Sequence, residues 1–183
     1  MMWRGIDLGT VTLKALALDG ETGRRWYIDS RASIEDYAFR HGFHAGKVCD
    51  VLAILSPRVT VEYSIRLADS YLKTGSAPGA MKQRLAALAR YETSGLFNGP
   101  KVNAFSAALR GDPDAIVVDA WMYRAARESR TTPKAYRETA ARIQDTADVL
   151  GWPAAETQAA IWQGARAFVG YAQGYKPMIL EGF

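Results

Sequence analysis

From Ser33 onward, amphipathic stretches are cut repeatedly by residues that cannot continue a helix: Gly42, Ser56-Pro57, Thr74 to Gly79, Asn98-Gly99-Pro100, Gly111-Asp112-Pro113, Thr132-Pro133 and Gly151-Trp152-Pro153. Pro lacks an N–H and clashes with the preceding turn, while Gly tolerates positive φ, so each of these sites ends one element and opens the next. The intervals between them read as helices. Ser33 with Asp36 makes a capping-box-like start for a helix through Arg40. Gly46 to Leu55 is apolar on most sides and so central. Further helices are predicted at Thr60 to Lys73, at Ala80 to Glu92 with Met81, Leu85, Leu88 and Ala89 inward, and from Pro100 with Val102, Phe105, Ala108 and Leu109 inward. The last three are Ala120 to Glu128, Thr132-capped Pro133 to Leu150, and Ala154 to Tyr171 with Ala155, Ala159, Trp162, Arg166 and Val169 on one face. Such helices must bury their apolar faces against one another. The expected fold is mainly α, a compact helical domain over residues 31–183.

The first 30 residues read differently. Ile6 to Gly9, Thr12 to Leu18 and Arg24 to Ile28 are short β-prone runs around the turn Asp19-Gly20-Glu21-Thr22-Gly23, which predicts a small β-hairpin or three-stranded meander as an appendage. Gly5-Ile-Asp-Leu-Gly-Thr10 with Lys14 to Asp19 is similar in wording to the first phosphate loop of the sugar-kinase/actin fold. That fold needs a second phosphate loop and a duplicated domain, and after Ser30 the pattern turns helical. The tail from Gln173 to Phe183, interrupted by Gly and Pro, is expected to be loosely ordered.

Composition narrows the class. In 183 residues, 49% are hydrophobic and 23% charged, the make-up of a folded globular chain, and no run approaches a membrane span. Without a visible secretory signal the expected home is intracellular and cytoplasmic. The single Cys49 excludes an internal disulfide and any multi-cysteine zinc or iron–sulfur site; within Val48 to Leu55 it reads as a small core residue. His41 and His44 are too few for a metal site, and no cofactor or metal is expected. The net charge of +4 is a mild basic excess. It is concentrated in the central half, at Lys73, Lys82, Arg84, Arg90, Lys101, Arg110, Arg124, Arg127, Arg130, Lys134 and Arg137, which is compatible with a polyanion partner and equally with solvated helix faces.

The chemistry-bearing stretch is Gly95 to Arg124. Pro100 opens a helix and puts Lys101 in its first turn. After the stop at Gly111-Asp112-Pro113, Ala115-Ile116-Val117-Val118 is a short extended apolar run, and Asp119 follows at the N-cap of the next helix, half-buried by its neighbours. A lone Asp there is ordinarily a cap. Lys101, at the mouth of the preceding turn, gives it a possible chemical companion.

In Gly99-x-Lys101-Val102 and Val117-Val118-Asp119-x-x-Met122 the sequence resembles the helix-hairpin-helix DNA glycosylases, nearest the branch that excises oxidised purines. The resemblance implies that Lys101 is the amine that attacks the sugar C1′. It implies that Asp119 is the carboxylate supporting the oxocarbenium charge, and that the backbone around Asn98, Gly99 and Lys101, with Arg124, binds DNA. Trp121 and Trp162 would border a base pocket. Two positions depart from the family's pattern: Phe97 stands where the hairpin usually has a second Gly, and Ala120-Trp121 replace the small polar residue and the His-like residue after the Asp.

Three classes of function are compatible with this reading. The first is a DNA N-glycosylase, with or without strand-cleaving lyase activity, acting on a flipped base in double-stranded DNA. The second is a transferase that hypermodifies bases on a glycosylase-like scaffold, as in phage. The third is a non-catalytic DNA-binding domain. Oligomeric state leaves no trace in the sequence.

Overall fold

The computed structural model describes residues 10–97, 99–170 and 175–183. Among these residues there are nine α-helices and no strand: α1 (Thr10–Asp19), α2 (Trp26–His41), α3 (Ala45–Leu55), α4 (Val61–Thr74), α5 (Lys82–Ser94), α6 (Pro100–Leu109), α7 (Ala120–Ala125), α8 (Pro133–Leu150) and α9 (Ala154–Phe168), with a 3-10 turn at Glu21–Arg25. The mainly α class is as the sequence indicates. The β-prone reading of Thr12 to Leu18 and Arg24 to Ile28 is not: these residues lie in α1, in the 3-10 turn and at the start of α2. Ile6 to Gly9, and with them most of the phosphate-loop-like motif, fall outside the described residues.

The chain divides into two compact units. One takes in the residues up to Tyr27 together with Pro113–Lys176, and the other Ile28–Asp112 together with Pro177–Phe183.

In the first unit α9 is the organiser. Leu13, Leu16 and Ala17 of α1 join Val118, Met122, Ala125, Ile143, Ala160, Ile161 and Ala165 in one core. Each of the large aliphatic side chains there contributes about 2 kcal/mol of burial free energy. Leu13, Leu16, Ala17 and Gly20 recur at helical spacing, and apart from Thr12 the stretch Thr12 to Leu18 consists of the strong helix formers Leu, Ala and Lys, so it coils with a buried face of period 3.6. The two helices meet at backbone distance, for a Cβ on Gly164 would overlap the Leu16 carbonyl, and one on Gly20 would overlap the Ala160 carbonyl. Thr132 caps α8, its hydroxyl accepting from the Ala135 N–H at 3.2 Å, and Gly151 ends that helix at φ 66°. The Ala155 N–H donates to the Pro113 carbonyl at 2.9 Å, pinning the start of α9 to the start of the 113–118 segment.

In the second unit α3 is the central helix, buried over nearly its whole length and flanked by α4, α5 and α6. Cys49 is in that core, and burial pushes its thiol up to about 11. Two expectations are corrected here. Ser33 does not start a helix; α2 runs through it, and the hydroxyls of Ser30 and Ser33 accept from the Met178 and Leu180 N–H groups, each at 2.8 Å. The tail is therefore docked over 177–183: Met178 and Leu180 are each 1% exposed, and the Phe183 main-chain oxygen accepts from His41 Nε2 at 2.9 Å. An extended segment alternates its side chains, so Met178 and Leu180 point inward together. On α5 the buried residues are Arg84 and Leu88, whereas Met81 and Leu85 are exposed, so the inward face is rotated from the one the apolar residues alone suggest.

Candidate functional site

Asp119 belongs to the first unit. The apolar run before it folds inward, with Ala115, Val117 and Val118 buried, and delivers the carboxylate to the N-cap of α7. Its Oδ1 accepts from the N–H groups of Trp121 at 2.8 Å and Met122 at 3.0 Å, which fixes the side-chain rotamer. Two tyrosines surround this segment. Tyr136 donates to the Ile116 carbonyl at 3.1 Å, and buried Tyr27 donates to Gln158 Oε1 at 2.8 Å. The Tyr27 phenol is held well above its ordinary pKa, by burial first and then by the negative charge of Asp119 and by Tyr136. The arrangement is an oriented, half-buried carboxylate beside neutral phenols. Arg124 is exposed and lies 5.0 Å over the Trp121 ring, and Arg166 lies 4.2 Å over Trp162, which is half-buried against Trp26 at 6.2 Å between ring centres.

Lys101 belongs to the second unit. The helix α5 ends at Gly95, φ 68°, and five residues later α6 begins at Pro100 with Gly99 as its N-cap at φ 88°. Only glycine takes these φ values without strain. Lys101 is in the first turn of α6, half-buried, and the Asn103 side chain donates to the Gly99 carbonyl at 3.0 Å. Asn98 lies outside the described residues. Of the expected inward face of α6, Ala108 and Leu109 are buried and Val102 and Phe105 half-buried.

The second unit also holds a buried polar node. Asp50, 3% exposed on α3, accepts from the Tyr91 hydroxyl at 2.6 Å, from the Ser106 hydroxyl and from the Arg110 guanidinium, tying α5 and α6 to the central helix. The Tyr91 phenol is pushed up by burial and by its bond to Asp50. Its ring stacks on Phe97, 5.4 Å between centres and 14° from parallel, so the node reaches Phe97 beyond the end of α5.

A family of unknown function (DUF7178) matches residues 8–167. The chain belongs to that family. No curated protein and no solved structure matches it. The DUF7178 match spans α1 to nearly the end of α9 and so takes in both Lys101 and Asp119.

Sequence reasoning missed Asp50 and the docking of the tail. A signal existed for the first: a lone acid between Val48-Cys49 and Val51-Leu52, in a helix with no polar face, can be buried only if paired. Part of the basic excess is internally neutralised, by Lys73 with Asp69 at 2.7 Å, Arg110 with Asp50, Arg130 with Glu128 at 3.1 Å and Lys134 with Glu138 at 3.7 Å. Among the described residues no group of His, Cys, Asp and Glu could hold a metal ion, and no helix is long and apolar enough to cross a membrane.

Proposed function

We propose that the protein cuts N-glycosidic bonds in DNA, in the manner of the helix-hairpin-helix glycosylases its central stretch resembles. The observation that carries this reading is Asp119: a carboxylate delivered by a buried Val117-Val118 run to the N-cap of a short helix, its rotamer set by two backbone N–H bonds. As the C1′–N bond breaks, the base departs with the bonding electrons and the sugar becomes cationic. A preorganised carboxylate beside it stabilises that charge strongly, because it needs no reorganisation. Lys101 is the proposed nucleophile at C1′, its amine forming a Schiff base after loss of the base; where it does not attack, water does.

The second support is that α5 ends at Gly95 and α6 opens at Gly99-Pro100, and the first-turn main-chain N–H groups that follow Pro100 are the proposed hold on a DNA phosphate. Arg124 over Trp121 is the proposed additional phosphate contact, and Trp121 and Trp162 the proposed pocket walls.

The test is a mass-spectrometric screen of duplexes carrying varied lesions and modified pyrimidines. Release of a free base supports the reading. A base whose mass increases within intact DNA assigns the protein instead to the hypermodifying transferases, and salt-sensitive binding without any product assigns it to non-catalytic DNA binding.

A further inference from the structure

The second unit contains a cleft of about 320 Å³ between the end of α3, the turn that follows it, α5 and the first turn of α6. Its lining includes Arg58, Arg84 and Arg90 and no acidic residue, with Met81, Phe97 and Val102 as the apolar side. Arg84 is only 6% exposed; its Nη2 donates to the Pro57 carbonyl and approaches Met81 Sδ at 3.5 Å, so the guanidinium is fixed. Arg58 is one of two described non-glycine residues at positive φ, 59°, a conformation uncommon for an L side chain. Burial lowers the pKa of Arg84, Tyr63 opposes that shift, and the like charge of Arg58 adds to it. Arg58 and Arg84 thus bring two mutually repelling cations to one space whose described lining includes no acid, and an anion there relieves that repulsion.

We propose that this cleft binds a nucleotide, with its phosphate on Arg58 and Arg84 and its base against Phe97 and Met81. The volume is at the lower end for small-molecule sites and fits a group of mononucleotide size. Phe97 supplies a ring already held parallel to Tyr91, and base–aromatic stacking tolerates any base. This is the position at which the chain departs from the glycosylase hairpin's glycine, so the ring is a property of this sequence. The nucleotide can come from a DNA strand, as an unstacked residue beside the hairpin, or from solution. Only the first source rests on the function proposed above.

The experiment is calorimetric titration of the full chain with the four deoxynucleoside 5′-monophosphates, the matching nucleosides, inorganic phosphate and a short single-stranded oligonucleotide. At least one monophosphate binds, more weakly as salt rises, with its nucleoside and inorganic phosphate each at least about tenfold weaker. Arg84 is tied to the Pro57 carbonyl, so the variants are exposed Arg58→Gln and Phe97→Ala, each weakening binding about tenfold, the scale of one charge-assisted bond or one stacked ring. Tighter, Arg58-dependent binding of the oligonucleotide than of the monomer identifies a strand-borne nucleotide; binding of the monomer alone identifies a free one. The proposal is overturned if none of the four binds, if inorganic phosphate binds as well as they do, or if both variants bind like wild type. Because the readout needs no turnover, a chain that releases no base from DNA can still pass this test.

Discussion

Gly164 of α9 packs directly against the main chain of Leu16 in α1, with no space for even a methyl group between them. The helices of the first unit thus cross at a small-residue seam formed by Ala17, Gly20, Ala160 and Gly164. Gly164→Ala should destabilise the protein by about 3 kcal/mol, the upper range for overpacking, because the obstructing atoms are backbone and cannot rotate away. Urea unfolding followed by circular dichroism measures it; a loss below about 0.5 kcal/mol would show that α1 can shift to accommodate the methyl.

Asp50 is the polar counterpart of that seam in the second unit. Asp50→Ala removes the partner of Tyr91, Ser106 and Arg110 at once and should cost about 2 kcal/mol, less than a fully buried ion pair because the Arg110 side chain is 44% exposed. Tyr91→Phe should cost about 1 kcal/mol, since it removes one hydrogen bond and keeps the ring on Phe97. Equal losses in the two variants would contradict the assignment of Asp50 as the common acceptor.

The helical frame was legible because its punctuation is chemical: Asp119 and Thr132 cap where expected, and Gly99-Pro100 and Gly151-Trp152-Pro153 break where expected. What failed was reading composition over period. Thr12 to Leu18 alternates enough to suggest a strand, yet the burial period from Leu13 to Gly20 is helical and α9 packs against that face. Ser33 looks like a cap until Leu180 is seen to use its hydroxyl, a contact 147 residues away that no local pattern encodes. The α5 face was misjudged because Arg84, a charged residue, takes the inward position by donating to the Pro57 carbonyl. Of the candidate site, the placements of Asp119 and Lys101 were readable from turn chemistry, while the Asp50 node, whose partners are 41 to 60 residues away, was not.

Stability should fall in alkali. Tyr27, Tyr37 and Tyr91 are all held above their ordinary pKa, chiefly by burial. The native state therefore keeps phenolic protons that the unfolded chain loses near pH 10. Below about pH 10 the stabilisation is fully present, and above it stability declines as the unfolded state ionises. Denaturant unfolding between pH 8 and about 11.5 measures the slope, which Tyr91→Phe should reduce. A flat profile would mean that the phenols reach water in the native state.

Lys101 has two separable roles in the proposed chemistry. As a nucleophile it should yield a borohydride-trapped protein–DNA adduct that Lys101→Gln abolishes with little change in affinity. As a phosphate contact only, it gives no adduct, and Lys101→Gln reduces the salt dependence of binding by about one unit.

The most direct measurement compares base release from duplex DNA by the wild-type chain and by Asp119→Asn under single-turnover conditions. Asn can retain the N-cap bonds to Trp121 and Met122, so fold and DNA affinity should be preserved while the rate falls at least ~100-fold, the effect of one preorganised electrostatic group. A folded Asp119→Asn protein that releases base at the wild-type rate would leave Asp119 as a helix cap and contradict the proposed chemistry.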